Sequence, residues 1–368
     1  MSMKESKPNL RHSQVTEIVK RLFGLTASIM RPLPSYDDQN FYVTSSDGGE
    51  FVLKIMNSAD SQNFTVLEVQ THAMNFLHQR GLPAQTALPT LTGQLMSLEE
   101  IDCGIGKLTK ICGKLTYRLL TYLPGTTIAK ITSSPQILYE VGKIAATLDK
   151  VLLQMEHPNI STLQRENFKW NLDSIPLLNQ YLHVMDGDPV QKIVKGVMEQ
   201  YQAQVVPKLT LFRKCVNHGD INDHNLLLEP NGPSAYKISG ILDFGDMSNG
   251  YFIFELAIAI MYMMIENPNP IDVGGPVVAG WESVFPLNYA ERDALYLLVL
   301  GRFCQSLVLA RHAVIQQPEN KEYLMMTAKT GVHHLCRLWE LGKEEVERIW
   351  FLSAAQFSQG TVINSPLD

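Results

Sequence analysis

Apolar positions in the first third of the chain follow two spacings, and each spacing predicts one kind of element. Apolar residues in 41–43 and 51–55 flank the polar, glycine-containing turn at 46–49, which predicts a β-hairpin. Between Val66 and Leu77 the apolar residues recur every three or four positions, which predicts a helix. Gly81 ends that helical pattern.

Beyond Pro124 the pattern becomes mostly helical. Ser134 before Pro135 is typical of a helix start, and residues 252–265 are apolar on nearly every side, as in a buried helix. We therefore expect a small sheet-rich part over residues 1–122 and a larger helical part over 123–368. Within the larger part, a hairpin is predicted from 226–228 and 238–242, and further helices near 289–314, 319–340 and 344–357.

Composition indicates a folded protein with a sizeable core. Apolar residues make up 45% of the 368 positions and charged residues 18%. The net charge is −6 without a basic block, so we expect neither nucleic acid nor an anionic membrane as a partner. The apolar run 253–265 is too short to cross a membrane and contains Glu255. Residues 1–14 are polar, so no secretory signal is expected.

The five cysteines are scattered and never stand in C-x-x-C spacing. This pattern disfavours both a zinc site and a disulfide framework. We expect the cysteines to be free thiols buried in the protein. Free thiols persist in a reducing compartment, so a cytoplasmic protein is expected.

Two short motifs carry the candidate chemistry. Residues 218–225 read H-G-D-I-N-D-H-N, and an apolar strand later the chain reads D-F-G from Asp243. This pattern is typical of kinases, in which the first Asp accepts the proton of the attacking hydroxyl and the Asn and second Asp hold Mg²⁺. Asp220 is therefore the candidate base, and Asn225 and Asp243 are the candidate magnesium ligands. A surface Asp would be the default for H-G-D alone, but three spacings coincide here.

Lys54 is a charged residue in the otherwise apolar strand 51–55, where a charge needs a reason. In a kinase it would contact the α- and β-phosphates, and Glu68 on the following helix would orient it. A solvent-facing lysine is the alternative.

The loop at 33–41 lies where a glycine-rich phosphate loop is expected, yet it has no glycine. Phosphate oxygens could be bound by backbone amides or by the side chains of Ser35, Gln39 and Asn40. The adjacent aspartates 37 and 38 would repel phosphate unless they point away or bind a cation. An ordinary turn is the alternative.

The acceptor is expected to be a small molecule. Only a short segment separates Asp243 from the buried helix at Phe252, which leaves no room for the activation segment of a protein kinase. Gly219 also stands where the catalytic loop of protein kinases carries Arg. A polypeptide substrate therefore has no docking platform here.

The chain resembles the aminoglycoside phosphotransferase and choline kinase group, and within it most closely the hydroxylysine kinases. The resemblance rests on F-V-L-K-I, Y-R-L-L-T-Y-L-P-G, L-P-S-Y-D-D-Q-N-F, N-H-G-D-I-N-D-H-N and S-G-I-L-D-F-G-D-M-S, and it covers nearly the whole chain. It implies an α+β, bilobal protein-kinase-like fold with a nucleotide-binding N-terminal lobe. It further implies Mg²⁺, GTP rather than ATP as the donor, and 5-hydroxy-L-lysine as the acceptor. The glycine-free loop is a departure from the pattern.

An acceptor with two ammonium groups and one carboxylate needs acids and a base in its pocket. Asp246 follows the magnesium ligand Asp243 closely and could meet an ammonium, or it could cap its own loop. Arg302 lies on the apolar face of a predicted helix and needs an anionic partner, either the substrate carboxylate or a protein carboxylate. Trp170 and Tyr262 are candidates for pocket walls or for the core.

Two other functions stay open at this point. Another amino-alcohol kinase, for choline, ethanolamine or homoserine, would carry the same motifs. A nucleotide-binding pseudokinase scaffold would usually lack a catalytic residue, whereas all four motif residues are present here. No protein partner is implied.

Overall fold

A computed structural model describes residues 7–102, 111–232 and 235–363. The chain divides into two compact units. The N-terminal unit comprises Met1–Leu123 and Glu156–Thr162, and the C-terminal unit comprises Pro124–Met155 and Leu163–Asp368. Residues 156–162 thus belong to the N-terminal unit, although they follow the predicted boundary at residue 122.

The α-helices of the described residues are α1 (His12–Phe23), α2 (Phe64–Gln79), α3 (Pro135–Leu152), α4 (Val190–Gln204), α5 (Phe252–Ile265), α6 (Gly274–Glu282), α7 (Tyr289–Gln316), α8 (Lys321–Leu324) and α9 (Met326–Ile363, interrupted at Gly342). Short 3₁₀ helices span Asp60–Asn63, Ile128–Lys130, Ile160–Leu163, Leu172–Met185, Val206–Leu211, Phe244–Asp246, Pro270–Val273 and Pro318–Asn320. The strands are β1 (Ala27–Leu33), β2 (Gln39–Ser45), β3 (Glu50–Ile55), β4 (Ala87–Leu88), β5 (Ser97–Asp102), β6 (Ile111–Thr121), β7 (Thr126–Thr127), β8 (Lys214–Asn217), β9 (Leu226–Pro230), β10 (Tyr236–Ile241) and β11 (Ser248–Tyr251).

Most elements with a strong local pattern occur where they were predicted. Strands β2 and β3 form the expected hairpin, and the Ser134 side chain accepts a hydrogen bond from the Ile137 N–H at the start of α3. Every residue of α5 is buried, as its apolar sequence predicted. Helix α1 was not predicted, because the first third of the chain was interpreted as strands.

The N-terminal unit is built on an antiparallel sheet with strand order β1-β2-β3-β6-β4, and β5 also pairs with β6. Leu53 lies opposite Leu119 in the β3–β6 pair, and both join the core that α1 covers. Side chains alternate between the faces of a strand. The next pair along, Lys54 and Arg118, therefore lies on the opposite face of the sheet.

Strand pairing in the C-terminal unit brings its two motif loops together. The 218–225 loop connects β8 to β9, and the 242–247 segment connects β10 to β11. Because β8 pairs with β11 and β9 pairs with β10, both ends of the two loops are held side by side.

Helix α7 is long and apolar enough to cross a membrane by length and composition. However, 94% of its apolar window is buried inside the structure, as in the core helix of a folded unit. Its polar residues Gln305 and Arg302 are buried and hydrogen-bonded to other parts of the C-terminal unit.

Candidate active site

The loop that carries Asp220 depends on a glycine just before it. Gly219 has a φ of 83°, which side chains other than hydrogen rarely tolerate. A Cβ at this position would lie 2.6 Å from the backbone oxygen of Asp246. The D-F-G segment therefore approaches the loop so closely that only glycine fits.

Three donors hold the Asp220 carboxylate in one orientation. Its Oδ2 accepts hydrogen bonds from Asn222 Nδ2 at 2.8 Å and from Asn225 Nδ2 at 2.9 Å. Its Oδ1 lies 3.2 Å from Arg302 Nη2. Burial raises the pKa of Asp220, and the Arg302 charge opposes that rise. The result is a fixed carboxylate with an increased proton affinity, which suits a general base.

Arg302 is buried, with 1% of its side chain exposed. Besides Asp220, it donates to the backbone oxygens of Trp170 at 2.8 Å and Gly219 at 3.3 Å. Its carboxylate partner is therefore a protein side chain, the second of the two alternatives for this residue. These contacts hold the Asp220 carboxylate and the guanidinium in place together. The guanidinium has no exposed edge for the expected bond to a substrate carboxylate.

His218 and Glu255 hold the backbone of the loop that carries Asp220. His218 Nε2 donates to the Leu242 backbone oxygen at 2.9 Å, while Nδ1 accepts the Asp220 N–H at 3.2 Å. Glu255 accepts the Gly219 N–H with both carboxylate oxygens, at 3.1 and 3.3 Å. Sequence reasoning missed Glu255, although a single acid in an all-apolar helix is a signal of such a contact.

Asn225 and Asp243 present oxygen atoms that suit Mg²⁺. The Asn225 Nδ2 is committed to Asp220, which orients the amide and leaves its Oδ1 without a hydrogen bond from any described residue. Asp243 is exposed and has a left-handed φ of 53°, an uncommon conformation for a residue other than glycine. In the described parts of the chain no group of three His, Cys, Asp or Glu side chains forms a metal site. Two hard oxygen ligands completed by phosphate are the pattern that Mg²⁺ accepts.

Asp246 is half-buried beside this pair. Burial and the negative charge of Asp220 raise its pKa to about 7, while Arg165 and Arg302 act in the opposite direction. Arg165 also donates to the backbone oxygens of Gly245 at 2.9 Å and Met247 at 3.4 Å, which fixes the segment on which Asp246 lies. No sequence signal distinguishes Arg165 from a surface arginine.

Trp170 and Tyr262 lie against the guanidinium of Arg302. Its central carbon is 5.1 Å from the Trp170 ring centre and 5.3 Å from that of Tyr262. Trp170 is half-buried and Tyr262 is buried. The structure thus brings both aromatic residues together with the Asp220–Arg302 pair.

In the N-terminal unit, Lys54 pairs with a different acid from the one expected. Its Nζ lies 3.4 Å from Asp38 Oδ2, and Asp38 Oδ1 also accepts the Asn57 N–H at 2.8 Å. Glu68 is exposed on α2, so its predicted pairing with the buried Lys54 is wrong. The sequence signal for this pairing was the adjacent pair of aspartates 37 and 38 in the loop, because Asp38 binds the Lys54 ammonium.

Arg118 is a second buried cation beside Lys54. The two residues are direct neighbours across β3 and β6, and Arg118 Nη1 donates to the Thr71 hydroxyl at 2.9 Å. A charged residue in an apolar strand drew attention to Lys54. Arg118 is likewise a charged residue between the apolar residues Tyr117 and Leu119, but it was not identified as a candidate from the sequence.

The glycine-free loop is held by bonds within the N-terminal unit. The Ser35 hydroxyl donates to the Asp38 backbone oxygen at 2.5 Å, and the Gln39 amide bonds the Leu10 N–H and oxygen at 2.8 and 3.0 Å. These two side chains therefore stabilise the loop, against the expectation that they meet phosphate. Asn40 Oδ1 is buried and lacks a hydrogen-bond partner among the described residues.

Comparison with known proteins assigns the chain to a family. The family model described as "Phosphotransferase enzyme family" matches residues 29–295, which include both motif loops and Lys54. The chain belongs to this phosphotransferase family.

The phosphotransferase is similar to proteins named hydroxylysine kinase. It is 78% identical to the one from Danio rerio over 359 residues, which cover 98% of this chain and 100% of that protein. The one from Xenopus laevis is 48% identical, with 97% of each chain covered.

Among solved structures, an amicoumacin kinase in complex with AMP-PNP and Ca²⁺ superposes with a TM-score of 0.65 at 14% identity. The match covers 88% of the phosphotransferase and 95% of the amicoumacin kinase. The predicted fold class, a protein-kinase-like fold with an antiparallel-sheet N-terminal part and a mainly helical remainder, is confirmed.

Proposed function

We propose that this phosphotransferase moves the γ-phosphoryl group of GTP to the side-chain hydroxyl of 5-hydroxy-L-lysine. The observation that carries the choice of acceptor is the 78% identity, over nearly the whole of both chains, to the Danio rerio hydroxylysine kinase. The type of reaction is supported independently by the geometry around Asp220, Asn225 and Asp243. Those residues have the side chains and the neighbouring loops that phosphoryl transfer to a hydroxyl requires.

Asp220 acts as the general base in this proposal. The acceptor oxygen forms a bond to the γ-phosphorus as the bond from that phosphorus to the β–γ bridging oxygen breaks. GDP leaves with that electron pair, and the hydroxyl proton passes to Asp220. The donors Asn222, Asn225 and Arg302 hold the carboxylate in place, so little reorganisation accompanies the proton transfer.

Asn225 Oδ1 and the Asp243 carboxylate would hold Mg²⁺, which would neutralise negative charge on the β- and γ-phosphates. The unbonded Asn225 Oδ1 and the exposed, left-handed Asp243 support this assignment. Lys54 contacts the α- and β-phosphates, with Asp38 in the orienting role first expected of Glu68. Ser35 and Gln39 already form hydrogen bonds within the N-terminal unit. Asn40, whose buried Oδ1 has no hydrogen-bond partner among the described residues, is therefore the remaining candidate of the three for phosphate binding.

On the acceptor side, Asp246 binds an ammonium group, and Trp170 and Tyr262 line the path to Asp220. The raised pKa of Asp246, about 7, supports a cationic partner because a nearby positive charge would favour the ionised carboxylate. Arg302 acts on the base in this proposal, since its guanidinium is already bonded to Asp220 and two backbone oxygens.

We place the reaction in the cytoplasm. Cys215, Cys304 and Cys336 are free thiols in the described part of the chain, and two of them are buried. Free thiols of this kind persist where the compartment is reducing.

The test is product formation followed by mass spectrometry, with purified protein, Mg²⁺ and 5-hydroxy-L-lysine. GTP is compared with ATP, and the wild type with Asp220→Asn. We expect a phosphorylated product with GTP and a turnover reduced about 10²- to 10⁴-fold in the variant, the range for a lost general base. Nucleotide binding and thermal unfolding serve as controls, because the variant keeps the shape of the side chain.

Three results would contradict parts of the proposal. Wild-type turnover in Asp220→Asn would remove Asp220 as the base. A faster reaction with ATP than with GTP would contradict the assignment of GTP as the donor. Phosphorylation of choline, ethanolamine or homoserine in preference to hydroxylysine would change the acceptor while leaving the mechanism intact.

A further inference from the structure

A pocket in the C-terminal unit opens between the 3₁₀ helix Ile128–Lys130 and the end of α5. It contains about 250 Å³ of space not occupied by atoms, part of it continuous with solvent. Its lining includes Asp223, Tyr262 and Glu266. The floor has room for a group about the size of one water molecule.

Asp223 is the buried acid of this pocket. Only 6% of the residue is exposed. Its carboxylate accepts a hydrogen bond from its own backbone N–H. Its backbone oxygen is separately used by the Ala129 N–H. A carboxylate buried to this extent is costly unless a cation pairs with it, and the residues that line the pocket include no Lys, Arg or His.

The other charges around Asp223 do not supply that cation. Glu266, which also lines the pocket, and Asp220 are both negative and raise the pKa of Asp223, whereas His224 lowers it. His224 itself is exposed. Burial is the largest cause, and together these effects bring the pKa of Asp223 to about 6. The pocket is therefore lined by two carboxylates and no cationic side chain, which suits a cation that arrives from outside the chain.

Tyr262 connects this pocket to the candidate base. It forms part of the pocket wall, and its ring centre lies 5.3 Å from the guanidinium of Arg302. Arg302 in turn bonds Asp220 at 3.2 Å. Asp223 also lies three positions after Asp220 on the same loop. The pocket and the candidate base thus share the 218–225 loop and are linked through Tyr262 and Arg302.

We propose that this pocket binds the ε-ammonium of the acceptor, with Asp223 and Glu266 as its anionic partners. The inference rests on the proposed function. In 5-hydroxylysine the ε-ammonium is on the carbon next to the hydroxyl, so an oxygen that reaches Asp220 carries this nitrogen close behind it. The α-ammonium lies three carbons away on the other side. A primary ammonium matches the size of the pocket floor, and a trimethylammonium exceeds it.

The test compares 5-hydroxylysine with three analogues in the wild type and in three variants. One analogue lacks the α-ammonium, and one has a trimethylated ε-nitrogen. 5-Hydroxylysine is paired with 2-amino-5-hydroxyhexanoic acid, which lacks only the ε-ammonium. The variants are Asp223→Asn, Glu266→Gln and the control Asp272→Asn, an exposed carboxylate of the same unit outside the pocket. KM, kcat and calorimetric binding of each acceptor are measured with GTP and Mg²⁺.

We expect Asp223→Asn to raise KM for 5-hydroxylysine about tenfold to a hundredfold, the value of a charge-assisted hydrogen bond. The KM of the analogue without the ε-ammonium should not change, and kcat should fall less than KM rises. Glu266 is exposed, so Glu266→Gln should have a smaller effect in the same direction. ε-Trimethylated hydroxylysine should bind the wild type weakly and be insensitive to Asp223→Asn.

Three outcomes would overturn the inference. Equal effects of Asp223→Asn on 5-hydroxylysine and on the analogue without the ε-ammonium would make Asp223 a structural residue. If Asp223→Asn no longer raises KM when the acceptor lacks the α-ammonium, the pocket binds the α-ammonium and not the ε-ammonium. If Asp223→Asn fails to fold, an unchanged KM in Glu266→Gln decides against the pocket. A wild-type protein that phosphorylates no hydroxylysine refutes the proposed function itself, and this result is separable from the others because it needs no variant.

Discussion

Buried charges carry most of the functional information at the scale of single residues. Arg302 is compensated by Asp220, and Lys54 is compensated by Asp38. Asp223, by contrast, lies near the carboxylates of Asp220 and Glu266, with the exposed His224 acting in the opposite direction. A charge in a low-dielectric interior is stable only with a partner. Arg302 and Lys54 are therefore each held in place by a protein carboxylate, whereas Asp223 lines the pocket of the C-terminal unit.

Replacing Arg302 by lysine should impair the base without removing the positive charge. Lysine cannot bond Asp220, Gly219 and Trp170 together, because it lacks the planar guanidinium. We expect kcat to fall about tenfold to a hundredfold, with little change in the KM for GTP. The weaker electrostatic contact should let the pKa of Asp220 rise further, so the acidic limb of the pH–rate profile should move to higher pH. Initial rates between pH 5.5 and 9 measure both effects.

Arg311→Lys is the matched control for this substitution. Arg311 lies on the same helix, α7. Its Nη2 lies 2.6 Å from Asp188 Oδ2, and neither residue belongs to the motif loops. Its pH–rate profile should match the wild type. If Arg302→Lys instead raises KM for hydroxylysine but not for the decarboxylated amine, Arg302 binds the substrate carboxylate and the positioning role is wrong.

At the scale of elements, the crossing of α3 and α6 shows how backbone contact constrains sequence. Gly142 on α3 faces the backbone of Val277 and Trp281, and Gly280 on α6 faces the backbone of Tyr139. A Cβ at Gly142 would meet the Val277 carbonyl oxygen in hard contact and lie 2.9 Å from the Trp281 nitrogen. Backbone atoms cannot move aside as a flexible side chain can. The reciprocal glycines are therefore what lets the two helices touch.

Gly142→Ala should destabilise the C-terminal unit despite the better helix propensity of alanine. Overpacking of this kind costs about 1–3 kcal/mol or more. Gly331→Ala on α9 is the control, because its Cβ would make ordinary contacts at 3.7 Å with Ile265 and Phe303. That variant should be neutral or stabilised by up to about 1 kcal/mol. Urea unfolding measures both, and equal stabilities would show that the crossing tolerates a methyl group.

For the whole molecule, several buried acids make stability depend on pH. Burial raises the pKa of Asp149, Asp220 and Glu255, and it brings the pKa of Asp246 and of Glu347 to about 7. In each case the folded state binds the proton more tightly than the unfolded state does. Such a group favours folding at low pH, and this contribution is lost as pH rises toward the folded pKa. The lowered pKa values of His72, His312 and His334 act in the opposite direction. The acids with lowered pKa values, Asp47, Glu99, Asp293 and Glu345, also do so, but they titrate below pH 5.

The unfolding temperature of the ligand-free protein should therefore fall between pH 5 and pH 7 and then level off. Each titrating acid changes the folding equilibrium constant by up to about tenfold per pH unit. Glu347→Gln removes one such group away from the motif loops, so it should flatten the decline and raise the unfolding temperature at pH 7.5. Scanning calorimetry across this range is the measurement. An unfolding temperature that rises steadily with pH would mean that the histidines dominate.

Local pattern was enough for much of this protein. The hairpin β2–β3, helix α2, the capped start of α3 and the buried helix α5 were all predicted, because each depends on periodicity or capping within a few neighbouring residues. The spacing of Asp220, Asn225 and Asp243 likewise indicated phosphoryl transfer, since the motif needs two short loops joined by a hairpin. Helix α1 was missed although Val15, Ile18, Val19, Leu22 and Phe23 recur at helical spacing and Gly24 follows them, because this pattern was not used.

Only the tertiary structure decided which charge meets which. Arg302 and Asp220 are 82 positions apart in sequence, and no periodicity relates them. Asp38 rather than Glu68 reaches Lys54 because β2 and β3 pair side by side, while Glu68 turns to solvent on α2. The burial of Asp223 and the charges around it likewise depend on the residues packed against it. Burial and pairing depend on distant parts of the chain, whereas the types of side chain and their local spacing are written in the sequence itself.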